Sequence, residues 1–202
     1  MKVNSDWIYK YRFVIGGGIA LAIVGVVVYL NRRRIKKLGS DVMEYAENKV
    51  WDAVSERNIE RLHPKVRDKA REFINKVEKE LGIKLRATST LRTYAEQNEL
   101  YAQGRTKAGG IVTNAKGGQS NHNFGTALDV VPIVNGQADW KTSADTWSKI
   151  AKVGKAVGFD WGGDWKSIVD KPHFEMNFGN SLAQMRQKYE SGQRDGDYIK
   201  LA

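Results

Sequence analysis

Residues 120–129 of this 202-residue chain read SNHNFGTALD, a polar turn that leads into an apolar run. The run from Thr126 to Val131 predicts a strand, in which Asp129 faces one side and its apolar neighbours face the other. Gly125 allows a turn that brings His122 back beside Asp129. A lone carboxylate in an apolar strand is costly to bury unless it is paired or bound to a metal. We therefore expect this segment to supply two ligands of a metal site.

A second histidine completes the ligand set. His173 follows Asp129 by 44 residues, directly after Pro172. Two imidazoles and one carboxylate are a full protein ligand set for a catalytic zinc, which keeps its fourth position open. The chain has three histidines and no cysteine, so any metal must be held by nitrogen and oxygen. The alternative is that both histidines are ordinary polar residues near a core. The spacing favours a Zn²⁺ site formed by His122, Asp129 and His173.

The surrounding sequence predicts a mixture of helices and strands. Apolar residues recur at helical spacing from Pro64, a favoured first helical residue, to Leu81, just before Gly82. Further elements are predicted as strand 83–88, helix 93–103, loop 109–118, helix 143–157 and strand 173–178.

The net charge of +10 would suggest nucleic acid if it were spread over the chain. Residues 1–37 alone carry eight Lys and Arg against one acid, and the rest is nearly balanced. We therefore expect no nucleic-acid partner.

The basic residues flank an apolar segment. Residues 13–30 are uncharged, and as a helix they would span about 27 Å, close to a bilayer's hydrocarbon core. A cleaved signal peptide would show a shorter apolar core and a small-residue cleavage site, whereas this run ends in an arginine triplet. A buried helix of a globular domain is the other alternative. We predict a single transmembrane helix, whose glycines leave open a helix–helix contact or release from the membrane. The basic flank modestly favours the C-terminal bulk on the cytoplasmic side.

A family resemblance rests on the same residues. The pattern Ser120-x-His122-x-x-Gly125-x-Ala127-x-Asp129, followed by Asp170-x-x-His173, resembles the zinc peptidases that cut bacterial peptidoglycan. These are the D-alanyl-D-alanine carboxypeptidases and the L-alanyl-D-glutamate endopeptidases. Residues 91–106 and 158–165 most resemble the endopeptidase branch of phage endolysins, and the similarity runs from about residue 55 to 178. It implies an α+β fold of the hedgehog and D,D-peptidase type, with a small, mainly antiparallel sheet and flanking helices.

The resemblance implies roles for five residues. His122, Asp129 and His173 would hold zinc, and Asp170 stands where the family has its catalytic carboxylate. Arg92 matches the arginine that faces the scissile carbonyl. Asp170 could pass a proton from water to the leaving amine, and Arg92 could stabilise the oxyanion, a contribution of about 3 kcal/mol.

Four other side chains admit two interpretations each. Glu175 could support a ligand or be a plain surface acid, and Ser120 could bond within the turn or merely form it. Trp161 and Trp165 could line a cleft or fill the core. His63 has no metal partner in sequence, and we expect it to be structural.

The predicted organisation has five parts. They are an N-terminal flank 1–12, a transmembrane helix 13–30, a basic flank and amphipathic stalk helix 31–54, a zinc peptidase domain 55–185 and a C-terminal tail 186–202.

The predicted function is a membrane-anchored zinc metallopeptidase that hydrolyses peptidoglycan stem peptides at the L-Ala–D-Glu bond, as a phage lytic or virion-associated enzyme. A D-Ala-D-Ala carboxypeptidase and a non-catalytic zinc-containing module of a phage particle or cell envelope are the alternatives. Its partners would be peptidoglycan, the membrane through residues 13–30, and other membrane or virion proteins. It would lie in the bacterial inner membrane or a virion membrane, with the side of the catalytic domain open.

Overall fold

The computed structural model describes residues 52–166 and 168–201, together with 32, 34, 36–41 and 43. The chain divides into two compact units, Met1–Ala46 and Glu47–Ala202. The described residues of the first unit are helical and exposed.

The predicted membrane helix is corrected. Among the described helices, none is both long and apolar enough to cross a bilayer, which takes about 20 mainly apolar residues. The 18-residue helix Pro64–Leu81, for example, carries a charged face. The single-pass membrane localisation and the membrane partner are corrected with it. Residues 13–30 themselves, and half of the predicted flank and stalk 31–54, lie outside the described residues.

Four helices of the second unit follow one another along the chain. They are α1 (Pro64–Leu81), α2 (Tyr94–Ala102), α3 (Ala144–Val157) and α4 (Leu182–Glu190). Helix α1 begins at a proline and ends before Gly82, whose φ of 67° closes the helix in the left-handed conformation. Helix α2 begins with a capping box between Thr93 and Glu96. A further helical segment, 52–60, precedes α1.

The strands form one main sheet and one hairpin. They are β1 (Lys84–Ser89), β2 (Ala127–Val134), β3 (Gln137–Ala138), β4 (Asp160–Trp161), β5 (His173–Glu175), β6 (Arg194–Asp195) and β7 (Tyr198–Ile199). The main sheet has the order β1-β2-β5-β4, β3 pairs with β2, and each of these pairs is antiparallel. The predicted antiparallel α+β architecture agrees with the structure, although β5 is shorter and β2 longer than expected.

The hydrophobic core lies between this sheet and helices α1 and α3. Leu128 and Val130 of β2 and Phe174 of β5 are fully buried in it, against α1 residues such as Phe73. Side chains alternate along a strand, so the opposite face of β2 and β5 carries Asp129 and the other polar residues. The sheet therefore separates an apolar core from a polar site.

A second, smaller cluster lies at the C-terminal end of the chain. Met185 of α4 and Ile199 of β7 are buried against Phe124, which lies two residues after His122. His63 also joins this region, because its Nε2 lies 3.0 Å from the carbonyl oxygen of Ile199. Residues 186–201 thus fold back onto the domain. We call Phe124, Met185 and Ile199 the C-terminal cluster.

Candidate metal centre

Three electron-donating atoms converge on the polar face of the sheet. The distance from His122 Nε2 to Asp129 Oδ1 is 3.2 Å, and that from His122 Nε2 to His173 Nδ1 is also 3.2 Å. His173 Nδ1 lies 3.3 Å from Asp129 Oδ1. The structure therefore brings together the three residues that the sequence singled out as ligands.

Local structure explains this convergence. Asp129 and His173 are direct partners across the β2–β5 pair, so their side chains leave the sheet side by side. His122 lies on a 3₁₀ turn, Asn121–Phe124, that ends at Gly125 with φ 69°. A side chain at Gly125 would approach the backbone nitrogen of His63 to 2.7 Å. Glycine is required there by both its conformation and its space.

The dimensions suit a tetrahedral metal. Zinc bonds to nitrogen and oxygen ligands measure about 2.0–2.1 Å, so a regular tetrahedron has ligand–ligand edges of about 3.3 Å. The three edges in the structure, 3.2, 3.2 and 3.3 Å, match that value. Two imidazole nitrogens and one carboxylate oxygen are also a donor set that zinc accepts. The residues present fit a zinc ion.

Each histidine has its other ring nitrogen occupied. His122 Nδ1 donates to the carbonyl oxygen of Thr90 at 2.7 Å, and His173 Nε2 donates to Glu175 Oε2 at 2.8 Å. These bonds fix the ring orientations and leave His122 Nε2 and His173 Nδ1 facing the centre. Glu175 therefore orients a candidate ligand and is not a plain surface acid.

The charges around the centre are coupled. Burial opposes ionisation of Asp129, yet the adjacent His122 and His173 hold the pKa of its carboxyl well below the usual range. Burial likewise opposes protonation of His173, but bonds to Asp129 and Glu175 raise its pKa to about 9. Without a bound metal, the His173 imidazole would thus be protonated at neutral pH, at the place where a cation would bind.

Two further predicted residues reach the same cleft. Arg92 and Asp170 line it together with the three candidate ligands, and the cleft has a volume of about 930 Å³. Burial, followed by the nearby charge of Asp129, raises the pKa of Asp170. Gly162 packs on this segment so closely that a side chain there would lie 2.6 Å from the Asp170 carbonyl oxygen and 3.0 Å from His173 Cβ.

The remaining candidates take different places. Trp165 lines the cleft with its ring centroid 4.8 Å from that of His173, whereas Trp161 packs against the hydrophobic core. Ser120 lines the cleft without capping the 3₁₀ turn. His63 caps α1, where its Nδ1 accepts from the Lys65 amide at 3.2 Å, and so is structural as expected.

Sequence reasoning missed two partners of the site. The Thr90 carbonyl that orients His122 is a backbone group, which no residue pattern reveals. Gln97 is fully buried beside Arg92, and its Oε1 accepts from Arg92 Nη1 at 2.8 Å. The only available signal was its position on α2 within the stretch 91–106.

Comparisons with known proteins identify relatives of this chain. A family profile described as D-alanyl-D-alanine carboxypeptidase matches residues 113–176. The peptidoglycan L-alanyl-D-glutamate endopeptidase CwlK of Bacillus subtilis is 41% identical over 123 residues, which cover 57% of this chain and 73% of that protein. The L-alanyl-D-glutamate peptidase of Listeria phage A118 is 30% identical over 122 residues, covering 60% of this chain and 40% of the phage protein.

A solved structure is also similar. The Serratia marcescens L-Ala D-Glu endopeptidase ChiX has a TM-score of 0.46 and 26% identity, covering 62% of this chain and 88% of that one. The decisive comparison is the Bacillus protein, because its identity is high and nearly three quarters of its length is matched. On that ground the chain belongs to the peptidoglycan peptidase family of D-alanyl-D-alanine carboxypeptidases and L-alanyl-D-glutamate endopeptidases.

Proposed function

We propose that this chain is a zinc-dependent endopeptidase that hydrolyses the L-Ala–D-Glu bond of peptidoglycan stem peptides. The observation that carries the proposal is the triangle of His122 Nε2, His173 Nδ1 and Asp129 Oδ1, with edges of 3.2–3.3 Å. The choice of bond is supported by the names of the Bacillus and Listeria phage relatives.

The proposed division of labour follows from the side chains in the cleft. Zinc, when bound, polarises a peptide carbonyl and lowers the pKa of water at the centre. Asp170 accepts a proton from the attacking water and returns it to the leaving amine. Its pKa is raised by burial and by the charge of Asp129, which brings it closer to the working pH and so favours both transfers. Arg92 places positive charge beside the oxyanion that forms at the scissile carbonyl.

The walls of the cleft suit a peptide. Ile111 and Val112 line it from the loop after α2, and Trp165 and Ile168 line it from the loop before β5. The exposed fractions of these four side chains lie between 38% and 60%, which is high for large apolar groups. Apolar side chains beside a polar centre are typical of sites that enclose a ligand and orient it by a few polar contacts.

The test is a digest of purified peptidoglycan by the full-length chain. We expect new amino termini on D-Glu, in fragments whose masses place the cut after L-Ala, and we expect a chelator to abolish them. Release of free D-Ala would instead identify a carboxypeptidase, the activity that the family profile names. Zinc binding without any product would identify a non-catalytic module and overturn the proposal.

A further inference from the structure

We infer that Gln97 is a positioning residue that holds the Arg92 guanidinium in the active cleft and ties it to the cleft wall formed by residues 113–115. The inference rests on the proposed function, because it assigns Gln97 a task in the same reaction.

The contacts of Arg92 show that its position is built from two sides. Its backbone nitrogen donates to the His122 carbonyl oxygen at 3.0 Å, so its main chain is joined to the turn that carries a candidate ligand. Its guanidinium donates from Nη1 to Gln97 Oε1 at 2.8 Å and from Nη2 to Ser89 Oγ at 3.0 Å. Ser89 lies opposite Asp129 across a bulge in the β1–β2 pair. The side chain of Arg92 is thus held by two neutral acceptors, neither of which offsets its charge.

The orientation of the Gln97 amide is fixed by its partners. Arg92 can only donate, so Gln97 must present its oxygen there. Its Nε2 then faces the carbonyl oxygen of Ala115 at 2.8 Å, which can only accept, and lies 3.4 Å from Thr113 Oγ1. A flipped amide would set two donors against each other at one end and two acceptors at the other. The oxygen and the nitrogen of the Gln97 amide therefore each have a fixed hydrogen-bond partner.

Burial makes these hydrogen bonds costly to lose. Gln97 is completely buried, although glutamine is usually exposed. Replacing it leaves the donor of Arg92 or the Ala115 carbonyl without its partner, which costs more than an exposed bond would. Arg92, Thr113 and Ala115 all line the cleft, and Gln97 lies behind them without lining it. Gln97 therefore acts on the reaction through Arg92 and does not touch the substrate.

Two substitutions at this position separate its two bonds. Gln97→Met has a similar size and removes both. Gln97→Glu keeps an acceptor for Arg92 but loses the donor to Ala115. We expect the Met variant to lose about 10- to 100-fold in kcat, because small displacements of a catalytic group have effects of that size. We expect the Glu variant to lose at least about tenfold in kcat, because its carboxylate would offset the Arg92 charge that stabilises the oxyanion, and its KM should rise because the cleft wall loses its tie.

A double-mutant cycle distinguishes positioning from mere folding. In an Arg92→Ala background, Gln97→Met should change kcat by less than about threefold, because the group that it positions is gone. Full multiplication of the two losses would overturn the inference. So would a Gln97→Glu variant with the kcat and KM of wild type, and this result is readable even if the Met variant does not fold.

Controls separate this inference from the proposed function. Gln187→Met, on the exposed face of α4, should leave kcat and KM unchanged, and Gln97→Met should bind as much zinc as wild type. If the wild-type chain releases no new amino termini, the proposed function fails. If wild type is active and Gln97→Met matches its kcat, only the role of Gln97 fails.

Discussion

Zinc binding should be coupled to the release of a proton from His173. In the metal-free centre, bonds to Asp129 and Glu175 raise the pKa of His173 to about 9 against the effect of burial, so its imidazole is protonated at pH 7. A metal ligand must be neutral, and zinc therefore has to displace that proton. Two pH units separate neutrality from a pKa of about 9, which weakens apparent zinc binding at pH 7 by roughly 100-fold, or about 2.7 kcal/mol.

The sign of this pH dependence follows directly. Below a pH of about 9 the proton competes with zinc, so apparent affinity should rise about tenfold per pH unit and then level off above that pH. Calorimetry in buffers of different ionisation enthalpy counts the protons released. We expect His173 to contribute about one proton per zinc at pH 7 and almost none well above pH 9.

A pair of variants tests the physical origin of the effect. Glu175→Gln removes one of the two carboxylates that stabilise the His173 imidazolium, so proton release near pH 8 should fall below that of wild type. Asp164→Asn changes an exposed acid that pairs with Lys155, and should behave as wild type. Zinc affinity that is flat from about pH 6 to 8, or binding without proton release at pH 7, would refute the reasoning.

Three other changes have defined outcomes. Asp170→Asn should keep one zinc by elemental analysis but lose about 10²- to 10⁴-fold in turnover, and near-normal turnover would remove Asp170 as the base. Gly162→Ala should weaken zinc binding, measured by competition with a chelator, because its methyl group would lie 3.0 Å from His173 Cβ. Gly110→Ala has open space around the added methyl group and should bind zinc as wild type does. Equal zinc affinities of the two variants would contradict the packing argument. Ile199→Ala should lower the free energy of unfolding by about 2–5 kcal/mol, because the side chain is 1% exposed in the C-terminal cluster. Denaturant titration measures this change. A change below about 0.5 kcal/mol would mean that this end of the chain is not part of the domain.

The ligand triangle could be anticipated because its determinants are local. Alternation along β2 places Asp129 on the face opposite the core, and Gly125 permits the turn that returns His122. His173 follows the same logic from β5, where it pairs with Asp129. These rules need only the chain within a few residues of each position, together with strand pairing.

The supporting contacts could not be anticipated, because no strand pattern or motif places their partners side by side. The bond from Gln97 to Ala115 crosses 18 residues, and its partner atom is a backbone carbonyl. The bond between His63 and the carbonyl of Ile199 crosses 136 residues and depends on how the end of the chain folds back. Glu175 was open between two roles because alternation gives its face of the strand but not the partner that it meets.

The most direct test of a zinc-dependent peptidase is to titrate the metal-free, full-length chain with zinc while measuring hydrolysis of a defined stem peptide. Turnover should be absent without metal, should rise in proportion to added zinc, and should stop rising at one equivalent per chain. His122→Ala should show neither tight zinc binding nor turnover. Undiminished hydrolysis by the metal-free chain, or one tightly bound zinc with no hydrolysis, would contradict the account.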